Sequence, residues 1–113
     1  MHELDIVLYI VKTVEEFAVQ NQLTKIDALV LEIGEFSGVV PQYIEACYPA
    51  AVEGTSLEET RLKIEILQGR VLCNRCDLVF YPGQHEGHCP ECGQRDWDVL
   101  SGKEFMIKEV IAC

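Results

Sequence analysis

Four of the six cysteines in this 113-residue chain fall into two pairs, Cys73 and Cys76 in CNRC and Cys89 and Cys92 in CPEC. A two-residue gap lets both sulfurs of one turn point at a single ion, and two such knuckles supply the four thiolates that tetrahedral zinc favours. Twelve residues separate the pairs, and that spacer, DLVFYPGQHEGH, carries the Gly and Pro that let it fold back as a hairpin. Four sulfurs fill the coordination sphere. The chemistry expected is therefore structural, an ion that staples a segment too short to build a sufficient core of its own.

The donor set alone does not separate zinc from iron, and CPECG resembles a rubredoxin knuckle. A second group with ligand chemistry stands at the start, where Met1, His2 and Glu3 open a helix-like pattern. The first amides of a helix have no intrahelical partner and are free for other use. An α-amino nitrogen, one or two deprotonated amides and an imidazole on the second residue approach a planar nitrogen set, which suits Ni²⁺ or Cu²⁺. The helix dipole opposes a bare dication there, but amide deprotonation cancels charge, and Glu3 and Asp5 add negative potential. On residue physics a plainer reading stands beside it: His2 as a helix tip and Glu3 as a first-turn acid placed for the dipole.

The other candidates are weaker. Cys47 lies on a helical apolar stripe as a small buried hydrophobe, and Cys113 is the last residue. His85 and His88 are expected as solvated loop residues, with His88 near enough to Cys89 to exchange with a thiolate in acid. There is no Ser/His/Asp set, phosphate-cradling glycine loop or spaced carboxylate pair, so no enzymatic activity is expected. GEFSG is too short for a nucleotide loop, and its glycines serve turns.

A formal net charge of −10 argues against nucleic acid or an anionic membrane surface as partner, because phosphate contacts need a basic stripe. No run reaches the roughly 18 apolar residues of a membrane span. The start lacks the basic stretch and cleavage site of a secretory signal, so a soluble, cytoplasmic chain with reduced thiols is expected.

The elements that must position these groups read as α+β: a small mixed sheet of about three strands, two helices and an inserted zinc-ribbon-like domain. Leu4, Val7, Leu8, Val11, Val14 and Ala18 recur at helical steps, widened by Ile6, Ile10 and Phe17, predicting a helix from Leu4 to about Gln20. IDALVLEI follows as a strand apolar on both parities, covered on one face and partly packed on the other. Pro41 suits the first turn of a second helix with stripe Ile44, Cys47, Tyr48 and Ala51, and Pro49 predicts a kink or break near Ala46 to Pro49. RLKIEIL alternates, with Leu62, Ile64 and Ile66 inward, and GKEFMIKEVIA is a further strand. The chain is thus expected to leave the sheet at Gln68, build the metal segment over 68–102, and return, leaving 1–67 and 103–113 as the other domain.

MHEL at the start, LEIGEFSGVVP, EGTSLEETRLKIE, the paired knuckles and LSGKEFMIKEV, in this order over the whole chain, resemble the HypA/HybF family of hydrogenase nickel-incorporation proteins. The resemblance implies a nickel metallochaperone with a nickel-binding α/β domain and an inserted structural zinc domain. It also implies a GTPase partner and the large subunit of [NiFe] hydrogenase as recipient, with urease maturation served by some members. Carried over by position, His2 is the nickel ligand, helped by the Met1 amine and the backbone at His2 and Glu3, and Cys73, Cys76, Cys89 and Cys92 bind zinc. A monomer or weak dimer is expected. The alternatives from other classes are a rubredoxin-like electron carrier and a zinc-ribbon interaction module.

Overall fold

The computed structural model describes residues 2–112, the side chain of His2 excepted. The elements run α1 (His2–Gln20), β1 (Ile26–Gly34), α2 (Pro41–Val52), β2 (Arg61–Leu67), β3 (Val71–Cys73), β4 (Val79–Phe80), a 3-10 turn (Pro82–Gln84), β5 (Trp97–Val99) and β6 (Phe105–Ala112). They form two sheets of three strands, ordered β2-β1-β6 and β4-β3-β5. Together with the two helices this is the expected α+β class. No described helix is long and apolar enough to cross a membrane.

Two compact units divide the chain. One comprises Met1–Glu32, Val39–Glu65 and Met106–Cys113, the other Ile33–Gly38 and Ile66–Phe105. In the first, α1 buries Val7, Ile10, Val11, Val14 and Ala18, which are three or four residues apart as a single packed stripe requires. Leu4 and Leu8, expected in the stripe, and Phe17, expected to widen it, are exposed, whereas Ile10 of the widening is buried. The helix stops in a Schellman turn. Gln22 adopts φ 57°, Leu23 N donates to Ala18 O at 2.8 Å and Gln22 N to Val19 O at 3.2 Å, which satisfies carbonyls the helix itself leaves open.

β1, the central strand of its sheet, is buried on both faces, from Ile26 and Ala28 through Leu31. α2 buries Ile44, Tyr48, Ala51 and Val52 and runs through Pro49 without a break, which leaves a kink as the open half of the expected kink or break. Pro49 is exposed, as is Glu45, whose carbonyl loses its amide partner to the proline, while the buried Tyr48, Ala51 and Val52 hold the last turn. Cys47 is half-buried rather than part of the core. Thr60 ties the layers together: its backbone oxygen accepts from Tyr48 Oη at 2.9 Å, and its own Oγ1 donates to Ile26 O at 2.7 Å. Burial pushes the Tyr48 hydroxyl up to about 12, which keeps it a neutral donor.

β2 alternates as predicted except at Ile66, which is 53% exposed rather than inward. The alternation fails where the chain passes from the first unit, ending at Glu65, into the second, beginning at Ile66. Inside the second unit the returning segments approach at glycines. Gly34 N donates to Glu104 O at 2.7 Å and Phe36 N to Gly102 O at 2.7 Å. A Cβ on Gly34 would sit 2.1 Å from Gly102 O, backbone that no rotamer change can move, and Gly102 itself holds φ +97°. Gly34→Ala is expected to destabilise this unit by about 3 kcal/mol, at the upper end for overpacking. Urea unfolding followed by tryptophan emission measures it, and a change under ~0.5 kcal/mol would refute the close approach.

Candidate metal centre

Each knuckle is a tight turn, and the two are built alike. Cys73 ends β3, the central strand of the second unit, paired to β4 (Val71↔Phe80, Leu72↔Val79) and to β5 (Val71↔Val99, Leu72↔Asp98, Cys73↔Trp97). In the first knuckle Cys73 N donates to Leu78 O at 2.9 Å and Asp77 N to Cys73 O at 3.0 Å; in the second, Cys89 N donates to Gln94 O at 2.9 Å and Gly93 N to Cys89 O at 2.8 Å. The residue after the second cysteine is left-handed in both, Asp77 at φ 62° and Gly93 at φ 75°. That conformation reverses the chain so that both sulfurs of a pair face the same point, and Gly and Asp are among the residues that tolerate it. The strand that follows the first knuckle, β4, pairs back onto β3, so the hairpin forms around the knuckle itself rather than within the spacer between the pairs.

The four sulfurs converge. Cys73 Sγ lies 3.5 Å from Cys92 Sγ and Cys76 Sγ 3.4 Å from Cys89 Sγ, and all four atoms fall within 4.8 Å of one another. A tetrahedron of zinc–sulfur bonds near 2.3 Å has edges of about 3.8 Å, so the set fits a zinc-sized tetrahedral ion. No disulfide joins these cysteines. Among the described residues no other group of His, Cys, Asp or Glu gathers in this way. Cys73 and Cys89 are buried, and with Val71 and Phe80 they are the core of the unit, against which Phe36, Leu78, Trp97 and Val99 pack. Cys76 and Cys92 face outward.

The sulfurs differ in proton affinity for local reasons. The N–H groups of Cys76 and Arg75 point at the Cys73 sulfur and bring its thiol down to about 7 against the opposing effect of burial. At Cys76 the Leu78 amide favours the thiolate, but the Cys89 thiol, burial and the remaining sulfurs outweigh it and push the group up to about 12. Cys92 is raised as well: the Gln94 amide favours its thiolate, and burial with the Cys73 and Cys89 sulfurs prevails. Thiolates this close repel one another unless a cation lies among them. Binding a dication must therefore expel protons from Cys76 and Cys92, and below about pH 7 from Cys73 also. Metal retention against a fixed chelator is expected to fall as the pH drops, more steeply below that point; a flat profile between pH 8 and about 5 would contradict it.

Of the nitrogen set proposed from the sequence, Met1 and the side chain of His2 lie outside the described residues. The backbone of His2 opens α1, and Glu3 and Asp5 are the acids of its first turn. His85 is exposed and packs edge-on against Phe80 with centroids 6.1 Å apart. His88 is not a free loop residue as expected: it is half-buried, and both ring nitrogens have partners, Gly93 O at 3.3 Å and Arg95 Nη2 at 2.8 Å. Sequence reasoning missed Phe36 and Trp97, whose rings meet at 5.8 Å beside the cysteine core, because they are 61 positions apart with no local pattern to join them.

An α+β chain that gathers four thiols at metal-ligand distances, the one such group among the described residues, has the make-up of a metal-binding protein. Residues 1–112 match the family described as hydrogenase/urease nickel incorporation, metallochaperone, hypA. The hydrogenase maturation factor HypA of Geobacter sulfurreducens is 40% identical over 110 residues, covering 97% of each chain, and that of Parabacteroides distasonis 35% over 111 residues, covering 98% and 96%. Among solved structures, a solution structure of HypA protein aligns with TM-score 0.69 at 25% identity over 100% of this chain and 97% of that one. The solution structure of the nickel metallochaperone HypA from Helicobacter pylori shares the fold, with TM-score 0.65 at 24% identity over 97% and 96%. The chain belongs to the HypA family of nickel-incorporation metallochaperones. It acts in hydrogenase maturation as a nickel metallochaperone and not as an enzyme.

Proposed function

We propose that the chain takes up Ni²⁺ at its start, through the Met1 amine, the His2 imidazole and the backbone at His2 and Glu3, and carries zinc permanently on Cys73, Cys76, Cys89 and Cys92. On this reading 1–67 with 103–113 is the nickel-handling part and 68–102 the zinc part. The observation that supports it is the position of α1, which begins at His2. Amides at a helix start have no carbonyl partner four residues back, so ligation there breaks no hydrogen bond of the fold. Glu3 and Asp5 offset the dipole that would repel the cation.

Delivery requires that the cargo leave. A site at a chain end keeps coordination positions open to solvent, so thiolates of an acceptor replace its ligands one at a time, whereas four thiolates around zinc leave no vacant position for attack. The reading assigns the acceptor as the large subunit of [NiFe] hydrogenase, with a GTPase of the same maturation system as partner, urease maturation proteins as further partners, and the cytoplasm as the place of work. Native mass spectrometry of untagged protein tests the division of labour. One ion that survives buffer exchange and a second, gained from added Ni²⁺ and lost to a weak chelator, are expected; two equally retained ions, or none, would overturn it.

A further inference from the structure

The two knuckles share a backbone but not a support. The first is held by the sheet, since Cys73 is in β3 between two partner strands, and Asn74 adds bonds from its N to Asp96 O at 3.0 Å and from its Nδ2 to Asp96 Oδ1 at 2.9 Å. Cys89–Cys92 belongs to no helix or strand. Beyond its own turn bonds it has a side-chain brace. Arg95 can only donate and a carbonyl can only accept, so His88 accepts from Arg95 Nη2 on Nε2 at 2.8 Å and donates from Nδ1 to Gly93 O at 3.3 Å. Both roles are met by the neutral Nδ1–H tautomer. The guanidinium is seated over the preceding turn, where a Cβ on Gly87 would lie 3.1 Å from Arg95 Nη1.

The carbonyl that His88 holds belongs to Gly93, the residue after Cys92, and the same turn is closed by Gly93 N donating to Cys89 O at 2.8 Å and Cys89 N donating to Gln94 O at 2.9 Å. A bond from the residue before Cys89 to the residue after Cys92 spans both sulfur positions, and together with the two turn bonds it forms a network whose members strengthen one another. We propose that His88, oriented by Arg95, is a positioning residue of the metal centre: by holding Gly93 O it ties the residue before Cys89 to the residue after Cys92 and keeps the second knuckle closed on its ion. The inference rests on the reading of the four cysteines as a metal site. With both nitrogens engaged, His88 serves as a brace and not as a ligand.

The zinc-loaded full chain, challenged with a chromogenic chelator, tests this. His88→Ala is expected to release zinc roughly 10-fold faster than wild type, the lower bound for loss of an outer-shell partner. His88→Asn, whose amide nitrogen reproduces the Nδ1 donor, should stay within about 3-fold, and Arg95→Ala should fall between the two. The Co²⁺-loaded proteins should all show the same sulfur charge-transfer spectrum. Alkylation during release should reach Cys92 before Cys76, both of which are exposed. Release from His88→Ala within about 2-fold of wild type, equal release from His88→Ala and His88→Asn, or a changed cobalt spectrum in His88→Ala would each overturn the proposal. Wild-type protein that retains no ion at all would instead remove the metal-centre reading beneath it.

Discussion

Serine in place of Cys73 or Cys89 is expected to release the ion and unfold the second unit while the helices of the first remain. A buried core cluster of the second unit is Val71, Cys73, Phe80 and Cys89, so two of its four members also belong to the four-sulfur group. Removing the ion thus takes away the staple and leaves sulfurs that repel or protonate inside that core cluster. Structural zinc in small domains is worth about 10–16 kcal/mol of apparent binding free energy, comparable to the whole stability of an ordinary domain, about 5–15 kcal/mol. Two probes separate the units. Trp97 is the sole tryptophan and packs against the cysteine core, so its emission reports the second unit, whereas α1 and α2 dominate far-ultraviolet circular dichroism. A serine variant with wild-type metal content and emission would remove the cysteines from the ligand set.

His2→Ala, or a short extension ahead of Met1, is expected to weaken Ni²⁺ binding at least about 100-fold, near 3 kcal/mol, with zinc content unchanged. The extension is the sharper test, because it keeps every side chain and converts the α-amino nitrogen into an amide. Helical content should not change, since α1 is held by the stripe Val7, Ile10, Val11, Val14 and Ala18 rather than by its first turn. Calorimetry on zinc-loaded protein gives the affinity, and the charge-neutral His2→Gln variant separates ligation from electrostatics. Equal Ni²⁺ affinity in the extended protein would place the cargo elsewhere on the chain.

These expectations differ in how they could be known. The cysteine pairs were legible because ligand spacing is a local property: with two residues between sulfurs, a single turn presents both, whatever surrounds it. The α1 stripe and the β6 run were legible for the same reason, periodicity being written into adjacent residues. The inward place of Ile66 and a helix break at Pro49 were not met because their outcome depends on distant chain. Ile66 follows the alternation of β2 but falls where the two units meet in sequence, and Pro49 lies on a face that water can serve while Tyr48, Ala51 and Val52 anchor the other side.

By itself, then, the sequence determined the two cysteine pairs, the helix that opens the chain, and the family to which the chain belongs. Tertiary structure alone decided that Cys73 and Cys89 are core while Cys76 and Cys92 face water, that Phe36 reaches Trp97, and that His88 braces a knuckle. Ligand spacing is fixed by the few bonds between neighbours. Burial and bracing are fixed by groups brought together through chain closure, and no short window of residues contains them.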